Sequence, residues 1–558
     1  MKLLNKYIGS FALILVLFVV TNCKIFDLDI NDDPNNPVSI SSPELLLTNI
    51  EYTLTQGVFT FSDQSLGIMG LYSTGGDGFG YSQTSFNGTW NNLYSGPLKD
   101  IEGLIAASSD PINPKYLGIA QVLKAWAISN MVDMWGDLPY SQALKGDAAD
   151  AVTDPSFDKD ADIYADCFKL LDDATKNFGI SSAVSVAGDL FYAGNISRWT
   201  KLANTLKLRL KLQTRLVNGS AKSEIEALMA DPAKLISTSA DDFQFQYSKA
   251  KNPQDYRHPW YQDGYGASQY GLTYMLHQNV VEMLEQKDPR TPFYYRRQTK
   301  RILDPANPSD RGTIPCSQTS GCTYGYIVLN PNMWPRVIGT STPTTAQNEF
   351  MAGLFGRDRA DPAGVPQDSD FRLMAGVYPA GGFYDITAPG LPGTDKAPGG
   401  GIFPIITSVN TLYYRIEAIL ALGSAGDARA LFVSAIKDHI KKVVDFGAAA
   451  DANAVRPTTA AIDDYVKIWT DRWDAQPNSA GKLNLALKQL WASSMGSGIE
   501  IYNAYRRTGF PNTIQEPINP TRGFPLRLPY PQAELTLNPN AANYKAVAFD
   551  KDPIFWDK

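Results

Sequence analysis

Flat aromatic rings edged by amides and carboxylates suit sugar recognition: C–H-rich ring faces pack on them, and hydroxyls pair with the polar edges. Two stretches of the chain supply both. In LYSTGGDGFGYSQTSFNGTWNNLY (71–94), Phe79, Tyr81 and Trp90 are candidate ligand contacts. Tyr72 and Phe86 are further flat groups, and Asp77, Gln83 and Asn87 are hydroxyl partners. Trp90 and Tyr94 are also spaced i, i+4, so a helix that packs Trp90 inward fits equally well. In DYRHPWYQDGYGASQYG (255–271), Trp260, Tyr261, Tyr265 and Tyr270 stand among Arg257, His258, Gln262, Asp263 and Gln269. NPNMWP adds Trp334.

Catalysis has less support. The sequence contains no G-x-S-x-G, no H-E-x-x-H and no P-loop. His258, His277 and His439 lie in unlike contexts, and His439 on a helix face reads as structural. Paired carboxylates hydrolyse glycosides when held roughly 5–10 Å apart, and sequence does not give that distance. The expectation is a binding protein without enzyme activity or cofactor. Calcium is left open: DSDF (368–371) and GRDRADP (356–362) carry oxygen ligands, although acid-rich loops are commonly just solvated. Cys316 and Cys322 flank the polar loop CSQTSGC, a spacing that suits a local disulfide in an exported protein. Cys167 lies in a helical pattern and reads as a small buried hydrophobe.

Positioning these groups falls to helices. Apolar residues recur every three or four positions at Tyr116, Ile119, Leu123 and Trp126, again at Trp199, Leu202, Leu206 and Leu210, and in several later stripes. RIEAILALGSAGDARALFVSAI (415–436) reads as two helices joined by a tight turn, a tetratricopeptide-like pair. From roughly 248 to 408, Pro, Gly and aromatic residues interleave and long helices become rare, so this region is expected to be loop-rich and ligand-facing. The fold class is therefore mostly α, with helix pairs as scaffold and little β.

The ends carry an address. Lys2 and Lys6 precede the apolar run Ile8–Val20, which is shorter than the roughly 20 residues a membrane span needs. Cys23 follows as in a bacterial lipobox, with Asn22 in place of the usual small residue. The expected organisation is a signal peptide (1–22), a lipidated tether beginning at Cys23 (23–41) and one helical domain (42–558). A net charge of −7 argues against nucleic acid as a partner.

Five segments, in order, resemble the signatures of the SusD/RagB outer-membrane lipoproteins. They are MVDMWGDLPYSQAL (131–144), GDLFYAGNISRWTKLANTLKLRLKLQTR (188–215), AYRRTGFP (504–511), RLPYPQAELTLN (527–538) and FWD (555–557). The resemblance implies four tetratricopeptide-like helix pairs under a loop-rich ligand side. It implies a lipid-anchored place on the outer leaflet of the outer membrane. It also implies a SusC-like TonB-dependent β-barrel partner, to which the lipoprotein delivers an oligosaccharide, or a peptide in the RagB branch. Asp27, Asp29, Asp32 and Asp33 resemble a surface-export signal of that group. Read physically, the motif residues are scaffold. Asp133 and Asp137 are expected to cap backbone amides, Trp135 and Tyr140 to fill a helix-to-loop corner, and Arg506 and Arg507 to fork onto carboxylates or carbonyls of the C-terminal segment.

Overall fold

Helices begin and end where the sequence supplies caps. The computed structural model describes residues 42–73, 78–109, 113–145, 151–266, 274–297, 354, 356–360, 373–385, 399–518 and 520–557. The first long helices are α1 (Pro43–Ile68), α2 (Asn87–Leu93), α3 (Lys99–Ser109) and α4 (Pro114–Trp135). Prolines open α1 and α4, where a missing N–H costs nothing. Next come α5 (Asp160–Gly179), α6 (Ile196–Gln213) and α7 (Ala221–Met229). Asn195 caps α6 by accepting from the Arg198 amide. After α8 (His277–Glu285) follow α9 (Ser408–Leu422), α10 (Ala428–Ala450), α11 (Thr459–Asp474), α12 (Ser479–Ser493) and α13 (Ile499–Thr508). Thr407 and Asn410 form a capping box on α9, which ends at Gly423 with φ +67°; Asp427 then caps α10. The GSAGD turn thus carries one stop and one start signal.

Among the described residues, helices pack in chain order: α3 on α4, α4 on α5, α6 on α7, α9 on α10, α10 on α11 and α11 on α12. Contacts of α5 with α6, α6 with α9 and α9 with α12 join the pairs. The fold is mostly α, as the periodicity predicts. Strands are short and pair antiparallel by twos: Tyr72–Ser73 (β1) with Tyr274–Met275 (β5), Leu138–Pro139 (β2) with Phe157–Asp158 (β3), Phe243–Gln246 (β4) with Ile402–Ile406 (β8), and Tyr295–Arg296 (β6) with Met374–Ala375 (β7). One large core runs through the helices, and Cys167 is buried in it as a free thiol. No described helix is long and apolar enough to cross a membrane.

The signature residues meet inside this core. Asp133, fully buried, accepts from Arg209 Nη2 at 2.9 Å, Asn503 Nδ2 at 2.8 Å and Trp556 Nε1 at 3.1 Å, and also from the Tyr164 hydroxyl. Arg209 Nε donates to Glu500 at 2.7 Å, and Tyr414 donates to the other Glu500 oxygen at 2.6 Å. Burial works against the Arg209 charge, but Glu500 and Asp133 together hold its pKa well above the usual value. Beside this hub, Arg507 forks onto Glu417 with two 2.7 Å bonds, and Arg215 joins the same carboxylate at 3.1 Å. Arg506 donates to the Leu526 carbonyl at 2.6 Å and lies 4.6 Å from the Trp556 ring centre.

Two of the motif expectations need correction. Asp133 caps no helix: its donors are side chains, because its helix presents it to the core rather than to a terminus. Arg507 grips Glu417 on α9 rather than the C-terminal segment. Asp137 does cap: its Oδ1 accepts from the Asp160 amide at 2.9 Å, opening α5. The corner between them is clasped from the far end of the chain. Arg527 donates to the Trp135 carbonyl at 2.9 Å, Trp135 Nε1 to the Pro529 carbonyl at 3.1 Å and Tyr530 to the Asp137 carbonyl at 2.9 Å. Gly136 has φ +87°, and a Cβ there would sit 2.9 Å from Arg527 Nη1, so only glycine fits.

Replacing Arg209 with Met removes one cationic partner from each of two buried carboxylates. The expected loss is about 3–5 kcal/mol of stability, read from the denaturant midpoint. A loss below about 1 kcal/mol would show that the hub does not hold the fold.

Candidate ligand-binding face

Ring stacking joins the two aromatic stretches. β1 lies against β5, and the Tyr72 ring stacks on Trp260 with centroids 4.0 Å apart. Trp260 Nε1 donates to Asp63 Oδ1 at 2.8 Å, which ties the second stretch to α1. The turn carrying Trp260 is set locally: Pro259 opens it, and His258 Nδ1 accepts from the Trp260 amide at 3.1 Å. Burial pushes the His258 pKa down to about 3, so the ring stays neutral and acts as a cap. Arg257 pairs with Asp255 at 2.5 Å and lies 4.8 Å from the Tyr261 ring centre. Tyr261 stacks on Tyr265 at 4.9 Å, and the Tyr265 hydroxyl donates to the Ala375 carbonyl at 2.8 Å.

This packing buries most of the described candidate rings. Phe79, Trp90, Trp260, Tyr261 and Tyr265 are each at most 3% exposed. Phe79 lies under the Arg359 guanidinium, 5.6 Å away, and beside Phe524. Trp90 packs edge-on to Trp135 at 5.0 Å, at the start of a helix that also turns Tyr94 toward it. The physical reason is shared. A large ring gains most by stacking on another ring or on a guanidinium, and each polar edge here finds a partner within the protein. Tyr81 alone of the described candidates keeps partial exposure. Tyr270, Trp334, the Cys316–Cys322 pair and Cys23 lie outside the described residues.

Rings that do reach solvent here were not singled out by sequence. Tyr52 on α1 and Tyr256 are partly exposed, with ring centres 6.0 Å apart, and Gln254 donates to the Tyr52 hydroxyl at 3.4 Å. Asp63 lies on the same helix as Tyr52, partly exposed beside Trp260. Tyr52 had a readable signal, since it falls between the buried positions Leu47, Ile50, Leu54 and Val58 and so off the core stripe. The arrangement offers ring edges, an amide and a carboxylate, which are hydrogen-bonding partners for hydroxyls.

The described part of the possible calcium loop is spent within the protein. Asp358, within the possible calcium loop, is buried and accepts from Gln515 at 2.6 Å. Among the described residues, no group of three or more His, Cys, Asp or Glu side chains could hold a metal ion. Asp361, Asp368 and Asp370 lie outside them.

The comparisons then decide the family. The SusD-like family model described as "Starch-binding associating with outer membrane" matches residues 34–318. The chain belongs to the SusD-like family. Solved structures share its fold at low identity. A chitin-binding protein is 21% identical with a TM-score of 0.63, covering 93% of this chain and 100% of its own. A SusD homologue from Bacteroides fragilis is 18% identical with a TM-score of 0.61, over 93% and 100%. A SusD/RagB family protein from Bacteroides thetaiotaomicron is 19% identical with a TM-score of 0.64, over 93% and 99%. No curated protein matches the sequence. The SusD-like hub and the WGD corner therefore sit in a helical frame that recurs across sequences sharing about a fifth of their residues.

Burial pushes the Asp63 pKa up to about 7, helped by Asp263 and opposed by the Trp260 hydrogen bond. A carboxyl with a raised folded pKa contributes stability below its unfolded value, and that contribution is lost as pH rises through the folded one. Asp63→Asn keeps the acceptor for Trp260 without the charge. It should stabilise the fold at pH 8, by roughly 1–2 kcal/mol at this partly exposed position, seen as a higher melting temperature, and converge with the parent near pH 4. Equal melting curves at pH 8 would remove Asp63 as a titrating group.

Proposed function

We propose that this SusD-like protein is a cell-surface lipoprotein that binds an oligosaccharide nutrient. In this reading it delivers the ligand to a SusC-like TonB-dependent barrel in the outer membrane. The observation that carries the proposal is the family match over residues 34–318, whose description joins starch binding to the outer membrane. The chitin-binding neighbour supports a saccharide ligand, and the signal-like N-terminus with Cys23 supports lipid anchoring. The partly exposed Tyr52 and Tyr256, with Gln254 donating to the Tyr52 hydroxyl and Asp63 further along the same helix as Tyr52, supply ring edges and polar partners such a ligand needs, and Tyr81 remains a proposed contact. Tyr270 and Trp334 remain proposed contacts.

The protein acts by binding and release rather than by turnover. Its buried imidazoles are occupied structurally. His258 caps a turn, and His439 lies 3.1 Å from Arg290, with burial and that guanidinium holding its pKa well below the usual value.

The test is calorimetry on the purified chain with α-1,4-glucan and β-1,4-linked N-acetylglucosamine oligosaccharides. Binding of one class is expected, weakened about tenfold or more by Tyr52→Ala with Tyr256→Ala and with melting temperature unchanged. Release of shortened sugars would make the protein an enzyme. Binding of neither class, with uptake of peptides instead, would favour the RagB-like alternative.

A further inference from the structure

A second concave site lies at the Pro139 corner. One cleft of about 540 Å³ and another of about 490 Å³ share the wall formed by Tyr94, Pro139, Ala143 and Leu144, making one elongated trough. None of the residues of the 255–271 stretch lines it. The wall is stiff: the Tyr94 hydroxyl donates to the Pro139 carbonyl at 2.8 Å. Leu144 stands on it in a left-handed conformation, φ +63°, which a leucine adopts only at a cost.

The two ends differ in chemistry. The larger cleft has an apolar floor of Leu98, Ile128 and Ile163, and four carboxylates face two lysines across it. Glu102 is neutralised by Lys124 at 2.7 Å, and Lys145 lies exposed at the rim. Asp158 is held by the Ser141 amide and hydroxyl, each at 2.7 Å, and by the Tyr140 amide at 3.1 Å. Asp166 accepts from the Tyr140 hydroxyl, and Asp162 is exposed. The balance is anionic. The Lys124 ammonium lies 5.0 Å from the Tyr140 ring centre while it pairs with Glu102, so the cleft already seats a cation between a ring and a carboxylate. The smaller cleft is lined by Trp90, Val152 and Pro155, with Glu534 and Lys99 at its sides.

We propose that this trough binds an extended peptide segment carrying a basic side chain flanked by apolar ones. The basic group enters the carboxylate-lined cleft beside Asp162 and Asp166, since Lys124 already covers the Tyr140 ring. An apolar neighbour crosses the Leu144 wall into the Trp90 cleft. Charge complementarity selects the ligand: a concave, low-dielectric wall focuses the field of Asp162 and Asp166 on an incoming cation, and a neutral saccharide gains nothing from it. None of Tyr52, Tyr81, Tyr256, Gln254 and Asp63 lines the trough, so the site stands whether or not the sugar-binding reading holds.

Dye-labelled Ser-Leu-Arg-Leu-Ser and its Glu counterpart test this by fluorescence anisotropy on the purified chain, at about 0.05 and 0.15 M salt. The Arg peptide should bind about tenfold or more tighter than the Glu peptide, and more weakly at the higher salt. Asp162→Asn with Asp166→Asn should weaken it about fivefold and flatten the salt dependence. Leu144→Gly relieves the backbone and should weaken binding without lowering the melting temperature. The proposal is overturned by no binding of the Arg peptide, equal binding of both peptides, or unchanged affinity in both variants. Displacement of the Arg peptide by maltohexaose would also overturn it and assign the trough to sugar.

Discussion

A carboxylate with no access to water must be met by donors, and Asp133 is met by four of them from four parts of the chain. Arg209, Asn503, Trp556 and Tyr164 lie on α6, α13, the C-terminal tail and α5. Removing water from a charge costs several kcal/mol, returned only when the partners arrive in the right geometry. The pairing therefore sets register as much as stability. A tail displaced by one residue leaves Trp556 off Asp133 and strands the carboxylate. The same logic governs Glu417 between Arg507 and Arg215, and Arg290 between Asp288 and Tyr465. These ionic knots explain why the most recognisable segments of the chain, separated by hundreds of residues, are interior scaffold.

The scaffold shapes the surface through the WGD corner. Gly136 lets the chain turn sharply under Arg527, Leu138 and Pro139 stay buried, and Tyr140 then reaches partial exposure. Behind them open the clefts shared by Tyr94 and Leu144. On the side of Tyr52 and Tyr256, α1 serves a similar purpose, since its polar edge holds Trp260 through Asp63. One frame thus presents two surfaces of unlike chemistry: aromatic edges with an amide in one, an anionic aromatic trough in the other.

Much of the fold was legible in the sequence because its signals are local. Thr407 with Asn410, Asp427 after GSAG, and Asn195 before a helical stripe are start signals that act within four residues. The aromatic stretches were legible as places but not as contacts. Trp260, Tyr261 and Tyr265 sit among polar residues, which reads as a wet loop. In the fold, those polar residues are spent on one another: Arg257 on Asp255, Gln262 on the Arg257 carbonyl, His258 on the Trp260 amide.

What the sequence determined by itself was therefore the helical class, the paired helices around the GSAGD turn and the segments that resemble a family, since periodicity and turn signals depend on near neighbours. What only the tertiary structure decided was which rings face water, which carboxylate is a cap and which is a hub, and where the clefts lie. Those depend on groups that meet across hundreds of residues. Tyr52 and Tyr256 are about two hundred positions apart, and Asp133 and Trp556 more than four hundred. Burial is a property of what packs on a residue, and no local pattern records it.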